Sequence, residues 1–397
     1  MHNLALAEDV VQDAFCRALE LWQFRGIPDN PSAWLMTTAR NRAIDVLRRE
    51  RTARTFAPEL GRLLESEWTL VPAVDEVFAS SVVGDDLLRM MFSCCHPRLP
   101  EAAQVAVVLH ILCGFSMSEI AAAFLTSDAA IQKRVVRAKK VLAKSKNLFD
   151  LRDADFAARL AVVHRVLYLL FNEGYHGSSA ESAVRAELCY EALRLTLLLV
   201  NHALTATPAT HALGALMCLH AARLPARSDL AGNLSLLSDQ DRSRWDRDLV
   251  EEGRRLLDLS ATGLVLTAYH VEAAIAAVHA RASRAEDTDW EQIVGLYDRL
   301  LSIQPTPVVA LNRAIAVAER DGPDRGLDAI RAISHVDRLA DYPFYPATLG
   351  ELELRRGQSE TAAAHFQAAV LLARNPSERR FFQRRLEACE SISRSDR

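Results

Sequence analysis

The amino-acid sequence predicts an all-α protein built from several helical domains. Apolar residues recur at helical spacing along almost the whole chain, and no convincing run of alternating strand residues interrupts them. Glycine and proline are sparse, with 15 and 14 among 397 residues. Half of the chain is hydrophobic, so we expect large cores, and the length allows about two to four domains.

The first helical unit is expected over residues 1–54. Residues 6–22 have the pattern of an amphipathic helix, a loop follows, and residues 31–51 have the pattern of a second helix. The polar face of this second helix carries Trp34, Asn41, Arg42, Asp45, Arg48 and Arg49. Arginine neutralises phosphate and an aromatic ring can stack on an unpaired base, so this face suits nucleic acid. A basic helix with its tryptophan packed against a neighbour would show the same pattern, and this segment alone does not separate the two interpretations.

Residues 55–84 mix Pro, Gly and Ser with acidic residues and lack a sustained period, which predicts a linker. A second helical domain is expected over residues 85–147. It begins with helices at 85–94 and 101–113.

Two short helices joined by a tight turn should complete that domain. Ser116 and Glu119 have the spacing of a capping box at the start of the first helix, and Ser127 can cap the second. The second helix is expected to bury Ile131, Val135, Ala138 and Leu142, and to expose Gln132, Lys133, Val136, Arg137 and Lys140. From Lys133 to Lys146 there are seven Lys or Arg residues and no acid, whereas a solvated helix usually mixes both signs. These features predict a helix-turn-helix that contacts DNA.

The rest of the chain should form a helical extension over residues 148–285 and degenerate tetratricopeptide-like repeats over 286–397. Tyr297, Ile330 and Phe366 are aligned large residues, 33 and 36 positions apart, close to the period of about 34 in that repeat. Further positions fit the same template, namely Pro305, Gly326, Ile333, Gly350, Ala362 and Ala369. A generic helical array remains an alternative.

Charge and cysteine usage limit the function classes. The net charge is only −4, so affinity for DNA must come from local patches. The seven cysteines lack the paired spacing of a disulfide framework or a zinc finger, and we expect no metal or cofactor, although Cys94-Cys95-His96 invites a metal hypothesis. No apolar run approaches the ~18 residues that span a bilayer, so we expect a cytoplasmic protein without a membrane partner.

Polar clusters in the extension could suggest an enzyme. They comprise Asn172, Glu173, Tyr175 and His176, and then Asp239, Asp241, Arg242, Arg244, Trp245 and Asp246. No nucleophile, metal-ligand set or phosphate loop accompanies them, so we expect no catalytic residues and interpret the clusters as salt-bridge networks that fix helix packing. A role in receiving a regulatory protein or ligand remains open.

Several motifs resemble a known family. Asp9-x-x-Gln12-Asp13-x-Phe15, Pro31-x-Ala-Trp-Leu35 and the stretch from Ala39 to Arg49 look like region 2 of a bacterial sigma-70 superfamily factor of the extracytoplasmic-function type. Residues 116–142 resemble its region 4. Residues 148–397 are similar to the long extension, ending in tetratricopeptide-like repeats, of one subgroup.

The resemblance implies that the protein binds core RNA polymerase and directs it to promoter DNA. The residues that would bind polymerase are Asp9, Gln12, Asp13, Phe15 and Arg17. Those that would read and open the −10 element are Trp34, Asn41, Arg42, Asp45, Arg48 and Arg49. Those that would contact the −35 element are Ser127, Gln132, Lys133, Arg137 and Lys140. The extension would regulate activity, and whether it activates or inhibits is left open.

Three departures from the family pattern affect these expectations. Only eight residues precede Asp9, so the helix that normally opens region 2 is missing, and we expect a natural start upstream or a weakened region 2. Leu125 replaces the usual turn glycine, and because a bulky residue resists positive φ, this replacement predicts a different turn. Ala129 and Ala130 replace a Gly-Thr pair, so promoter preference cannot be carried over.

The main alternative is an ordinary helix-turn-helix regulator with a helical sensor domain. Such a protein would bind duplex DNA alone, usually as a dimer on a palindrome. It would not need an exposed Trp34, and it would not associate with core polymerase.

Overall fold

The structure is a computed structural model that describes residues 4–26, the helical positions 31, 34–35, 37–39 and 42–43, and then 85–145, 151–177, 184–229 and 234–395. In these ranges the chain is helical, and an isolated bridge between Ser228 and Leu234 is the one piece of β structure among them. The all-α prediction is therefore confirmed. The predicted linker at 55–84 lies outside the described residues.

The N-terminal half contains α1 to α8, whose bounds are Leu4–Arg25, Asp86–Cys94, Glu101–Ile111, Met117–Ala123, Asp128–Ala143, Asp153–Tyr175, Ala186–Val200 and Pro208–Ala221. The C-terminal half contains α9 to α16, whose bounds are Arg247–Ser260, Ala268–Arg281, Trp290–Ile303, Pro307–Asp321, Pro323–Arg331, Phe344–Arg355, Ser359–Leu372 and Pro376–Ser395. No helix among the described residues is both long enough and apolar enough to cross a membrane.

The chain forms two compact units, and the first comprises residues 1–112 and 132–159. Within it, α3 is buried from Ala103 to Leu109. The rings of Phe92 and Phe156 meet edge to face with centroids 4.9 Å apart, and Arg159 donates a 2.9 Å hydrogen bond to the carbonyl oxygen of Phe92. These contacts fix the start of α6 against α2.

The second unit comprises residues 113–131 and 160–397. It therefore combines α4, the first helix of the predicted helix-turn-helix, with the extension. The boundary between the two units falls inside α5. No sequence pattern indicated this division, and the domain boundaries predicted above stay predictions.

Successive helices at the C-terminal end share one core with the next. One buried cluster joins α10, α11 and α12, a second joins α12, α13 and α14, and a third joins α14, α15 and α16. Small residues allow close crossings, since a Cβ on Gly326 would lie 2.4 Å from Ala318 and a Cβ on Gly350 would lie 3.1 Å from Phe366. The repeat-like positions Ala362, Phe366 and Ala369 are buried, as stacked helix hairpins require.

Several polar residues of the extension are helix caps rather than members of salt bridges. Asp246 accepts from the amides of Asp248 and Leu249 at the start of α9, and Asp241 accepts from the amide of Ser243. Arg242 donates to backbone carbonyl oxygens near the end of α10. The predicted salt-bridge network is therefore wrong for this segment, because short aspartate side chains satisfy nearby amides more readily than distant cations.

Candidate nucleic-acid interface

Helix α1 has two apolar stripes. Val10, Ala14 and Ala18 recur every four residues and are buried. One position further on, Val11, Phe15 and Leu19 recur with the same period but are 45 %, 52 % and 67 % exposed. Such an exposed apolar row is typical of a surface that binds another protein.

The predicted polymerase-binding residues Asp9, Gln12, Asp13, Phe15 and Arg17 are all exposed on α1. Sequence reasoning missed Val11 and Leu19. The four-residue recurrence of Val11, Phe15 and Leu19 could have found them, but periodicity alone does not say which of two adjacent stripes is buried.

Two contacts between described residues join α1 to the helical segment that carries Trp34. The rings of Trp22 and Trp34 meet edge to face with centroids 5.4 Å apart, and Trp34 is partly buried. The Arg42 side chain donates a 2.7 Å hydrogen bond to the carboxylate of Asp13. Trp34 thus packs against a neighbouring side chain, which is the alternative to a nucleic-acid contact that the sequence left open. Arg42 pairs with Asp13, one of the predicted polymerase-binding residues. Asn41, Asp45, Arg48 and Arg49 lie outside the described residues.

The first helix of the predicted helix-turn-helix, α4, begins at a complete capping box. The amide of Glu119 donates to the Ser116 hydroxyl at 3.2 Å, and the Glu119 carboxylate accepts from the Ser116 amide at 2.7 Å. This pair was predicted from the Ser-x-x-Glu spacing and is confirmed.

The turn after α4 retains the left-handed conformation that normally favours glycine. Leu125 adopts a φ of +48°, and its side chain is 48 % exposed. The amides of Leu125 and Thr126 still donate to the carbonyl oxygens of Ala122 and Ala121. The departure from glycine therefore leaves Leu125 in a strained backbone rather than imposing another turn.

Helix α5 buries and exposes the residues that the sequence predicted. Ile131, Val135, Ala138 and Leu142 are almost fully buried. The exposed side carries Ser127, Gln132, Lys133, Val136, Arg137 and Lys140. Among the residues that the structure describes, no carboxylate lies within ion-pair distance of Lys133, Arg137 or Lys140. This face therefore presents cations that are available to phosphate groups, next to an amide side chain that can read a base edge.

An arginine of the extension bridges to α4. The Arg185 guanidinium lies 3.0 Å from the Glu119 carboxylate and 2.7 Å from the Glu173 carboxylate. Its central carbon lies 5.7 Å from the centre of the Phe115 ring. Glu119 therefore joins the capping box through one carboxylate oxygen and the extension through the other.

Gly174 allows the backbone of Arg185 to approach α6 closely. The amide of Arg185 donates to the Gly174 carbonyl oxygen at 2.7 Å, and a Cβ on Gly174 would lie 2.8 Å from the Arg185 carbonyl oxygen. Sequence reasoning singled out Glu173 but missed Arg185, because a pair 12 residues apart leaves no periodic signal.

Two family models match the segments that carry α1 and α5. A family model described as sigma-70 region 2 matches residues 1–53, and one described as sigma-70 region 4 matches residues 89–142. A family of unknown function, DUF6596, matches residues 159–261. No solved structure gives a significant match.

One relative extends the similarity over nearly the whole chain. The uncharacterized protein R00370 of Rhizobium meliloti (strain 1021) is 40 % identical over 388 residues, which cover 97 % of this chain and 90 % of that protein. An ordinary helix-turn-helix regulator would not be expected to match region 2 as well as region 4. The chain belongs to the sigma-70 superfamily, as a protein in which regions 2 and 4 precede a long helical extension.

Proposed function

We propose that this protein is a sigma factor of the extracytoplasmic-function type that brings core RNA polymerase to promoters in the cytoplasm. The observation that carries the proposal is the exposed face of α5, where Gln132, Lys133, Arg137 and Lys140 lie together without carboxylate partners among the described residues. Cations in this position contact phosphate, and Gln132 reads a base of the −35 element. The assignment to the extracytoplasmic-function type rests on the resemblance of the motifs in regions 2 and 4.

Helix α1 supplies the polymerase-binding surface in this proposal. The exposed row of Val11, Phe15 and Leu19 docks on an apolar surface of the core enzyme, and the flanking Asp9, Gln12 and Arg17 form its polar rim. The pair between Asp13 and Arg42 holds the Trp34 segment against this helix. Trp34, whose ring is partly accessible, then contacts an unpaired base of the −10 element.

We also propose that the extension regulates region 4 through Arg185. Because Arg185 contacts Glu119, Glu173 and Phe115, a change in the extension alters the support of α4. We assign the helix hairpins from α11 to α16 to tetratricopeptide-like repeats. The close contact between Gly350 and Phe366 supports this assignment, because such repeats stack one hairpin on the next.

Binding of the full-length chain to core RNA polymerase tests the α1 surface. Phe15→Asp and Leu19→Asp should each weaken binding by at least about tenfold, since a carboxylate would be buried in an apolar interface. Leu371→Asp is the matched control, because Leu371 is a 76 % exposed hydrophobic residue in the extension. Equal affinity of all three variants and the wild type would contradict the proposed surface.

A further inference from the structure

Two buried arginines follow α8 without a counter-ion among the described residues. Arg223 and Arg227 are 8 % and 9 % exposed, and no described carboxylate lies within ion-pair distance of either guanidinium. Moving a cation out of water costs several kcal/mol unless it is paired, so buried arginines normally face a carboxylate or another anion.

The contacts that these arginines do make are with neutral groups. Arg227 donates to the Tyr175 carbonyl oxygen at 2.9 Å, and its central carbon lies 4.2 Å from the centre of the Tyr175 ring. Arg223 lies over the Trp245 ring at 5.4 Å and points its Nε at the Gln240 side-chain oxygen at 3.4 Å. Contacts over rings are worth about 0.5–2 kcal/mol each and leave the two positive charges uncompensated.

Orphaned polar atoms surround the same tyrosine. The Tyr175 hydroxyl, the Arg227 Nε and the His220 Nδ1 are all buried and have no hydrogen-bond partner among the described residues. The ring centroids of Tyr175 and His220 are 5.0 Å apart. Because nearly all buried polar groups are hydrogen-bonded in native proteins, three orphans at one place indicate a missing partner.

The electrostatic environment of this cluster is positive. Burial, followed by the charges of Arg223, Arg227 and His279, lowers the pKa of His220 to about 3. Burial also lowers the pKa of Arg223, and the charges of Arg227 and Arg242 act in the same direction. The missing partner should therefore accept hydrogen bonds and carry negative charge.

We propose that Arg223, Arg227 and the Tyr175 hydroxyl form a binding site for a small oxyanion, either a carboxylate or a phosphate group. Two guanidiniums supply N–H donors, and the hydroxyl supplies a further donor. The site lies within residues 159–261, the segment matched by the family of unknown function. It does not depend on the role as a sigma factor.

Thermal melting of the full-length protein tests the site. Inorganic phosphate and malonate are each titrated against sodium chloride of equal ionic strength. Binding to the native state should raise the melting temperature by several degrees as the concentration exceeds the dissociation constant. A rise with phosphate alone or with malonate alone identifies the class of oxyanion.

Variants distinguish specific anion binding at this site from general effects of salt on stability. Arg227→Gln should abolish the rise, and Tyr175→Phe, which keeps the ring under Arg227, should weaken binding at least several-fold. Arg254→Gln is the control, because Arg254 is exposed on α9 and should keep the full rise. If Arg227→Gln fails to fold, Tyr175→Phe still decides.

The proposal is overturned by either of two results. One is an equal rise in the wild type and in Tyr175→Phe. The other is no rise with either anion in wild-type protein that also releases no phosphate or carboxylate on heat denaturation, as measured by ion chromatography. Release of such an anion from the wild type, and less from Tyr175→Phe, would instead show that the purified protein already holds its ligand.

Discussion

Replacing Arg185 by glutamine should loosen the first helix of the helix-turn-helix. The guanidinium contacts Glu119 at 3.0 Å and Glu173 at 2.7 Å, while the side chains of Arg185, Glu119 and Glu173 are 23 %, 14 % and 6 % exposed. At a separation of about 4 Å and an effective dielectric constant near 20, two unit charges attract by about 4 kcal/mol. Partial exposure and desolvation reduce this figure, so we expect a coupling of about 1–2 kcal/mol between Arg185 and Glu119.

Hydrogen exchange of the peptide that covers residues 116–124 measures this coupling locally. A loss of about 1.4 kcal/mol raises the exchange rate tenfold, so Arg185→Gln should speed exchange in α4 by about five- to thirtyfold. Glu119→Gln should have a smaller effect, because it leaves the pair between Arg185 and Glu173 intact and the glutamine side-chain oxygen can still accept from the Ser116 amide. In the double variant the two effects should not add, since the second change removes an interaction that is already lost.

A matched control comes from the same extension. Arg255 pairs with Glu252 at 2.7 Å on the surface of α9, with side chains 53 % and 34 % exposed. An exposed pair of this kind is worth about 0.5 kcal/mol or less, so Arg255→Gln should leave exchange in α4 unchanged. Unchanged exchange in Arg185→Gln, or strictly additive effects of Arg185→Gln and Glu119→Gln, would refute the reasoning.

Three further predictions concern residues that we propose to contact DNA and the turn that precedes α5. Arg137→Ala should weaken promoter binding and reduce the slope of log affinity against log salt concentration by about one unit, because one phosphate contact is lost; an unaltered slope would place Arg137 away from the DNA. Trp34→Ala should leave polymerase binding intact and slow open-complex formation, whereas Trp34→Phe should keep part of the activity. Promoter opening is measured with 2-aminopurine in the −10 element. Normal opening by Trp34→Ala would show that Trp34 does not take part in this step. Leu125→Gly should be more stable than Leu125→Ala by about 1 kcal/mol in urea unfolding, because alanine keeps the strain of a positive φ. Ala122 is the control, because it lies on the exposed side of a regular helix, where Ala122→Gly should destabilise the protein by about 0.5–1 kcal/mol. If Leu125→Gly were likewise less stable than Leu125→Ala, the strain at Leu125 would be contradicted.

Local signals made the helix-turn-helix predictable. The capping box from Ser116 to Glu119 and the alternation of Ile131 with Lys133 on α5 depend on residues close together in the chain, where helical geometry alone decides which side chains meet and which face outward. Burial follows from the same spacing. The cationic face of α5 is therefore predictable from the sequence alone.

Long-range packing was not predictable in the same way. The bridge from Arg185 to Glu119 joins segments 66 residues apart along the chain, and the aspartates near Arg242 are caps rather than ion-pair partners. A single sequence shows which groups are charged but not which distant groups meet. For the same reason the exposed row that contains Phe15 could not be told apart from the buried stripe beside it.

The most direct test of the account is transcription of genomic DNA from the source organism by core RNA polymerase, with and without the full-length chain, followed by mapping of RNA 5′ ends. We predict that the chain produces a set of new start sites that share one −10 and −35 sequence, and that Arg137→Ala reduces initiation at these sites. Identical start sites with and without the chain, at a concentration of chain that saturates the core enzyme, would contradict its role as a sigma factor.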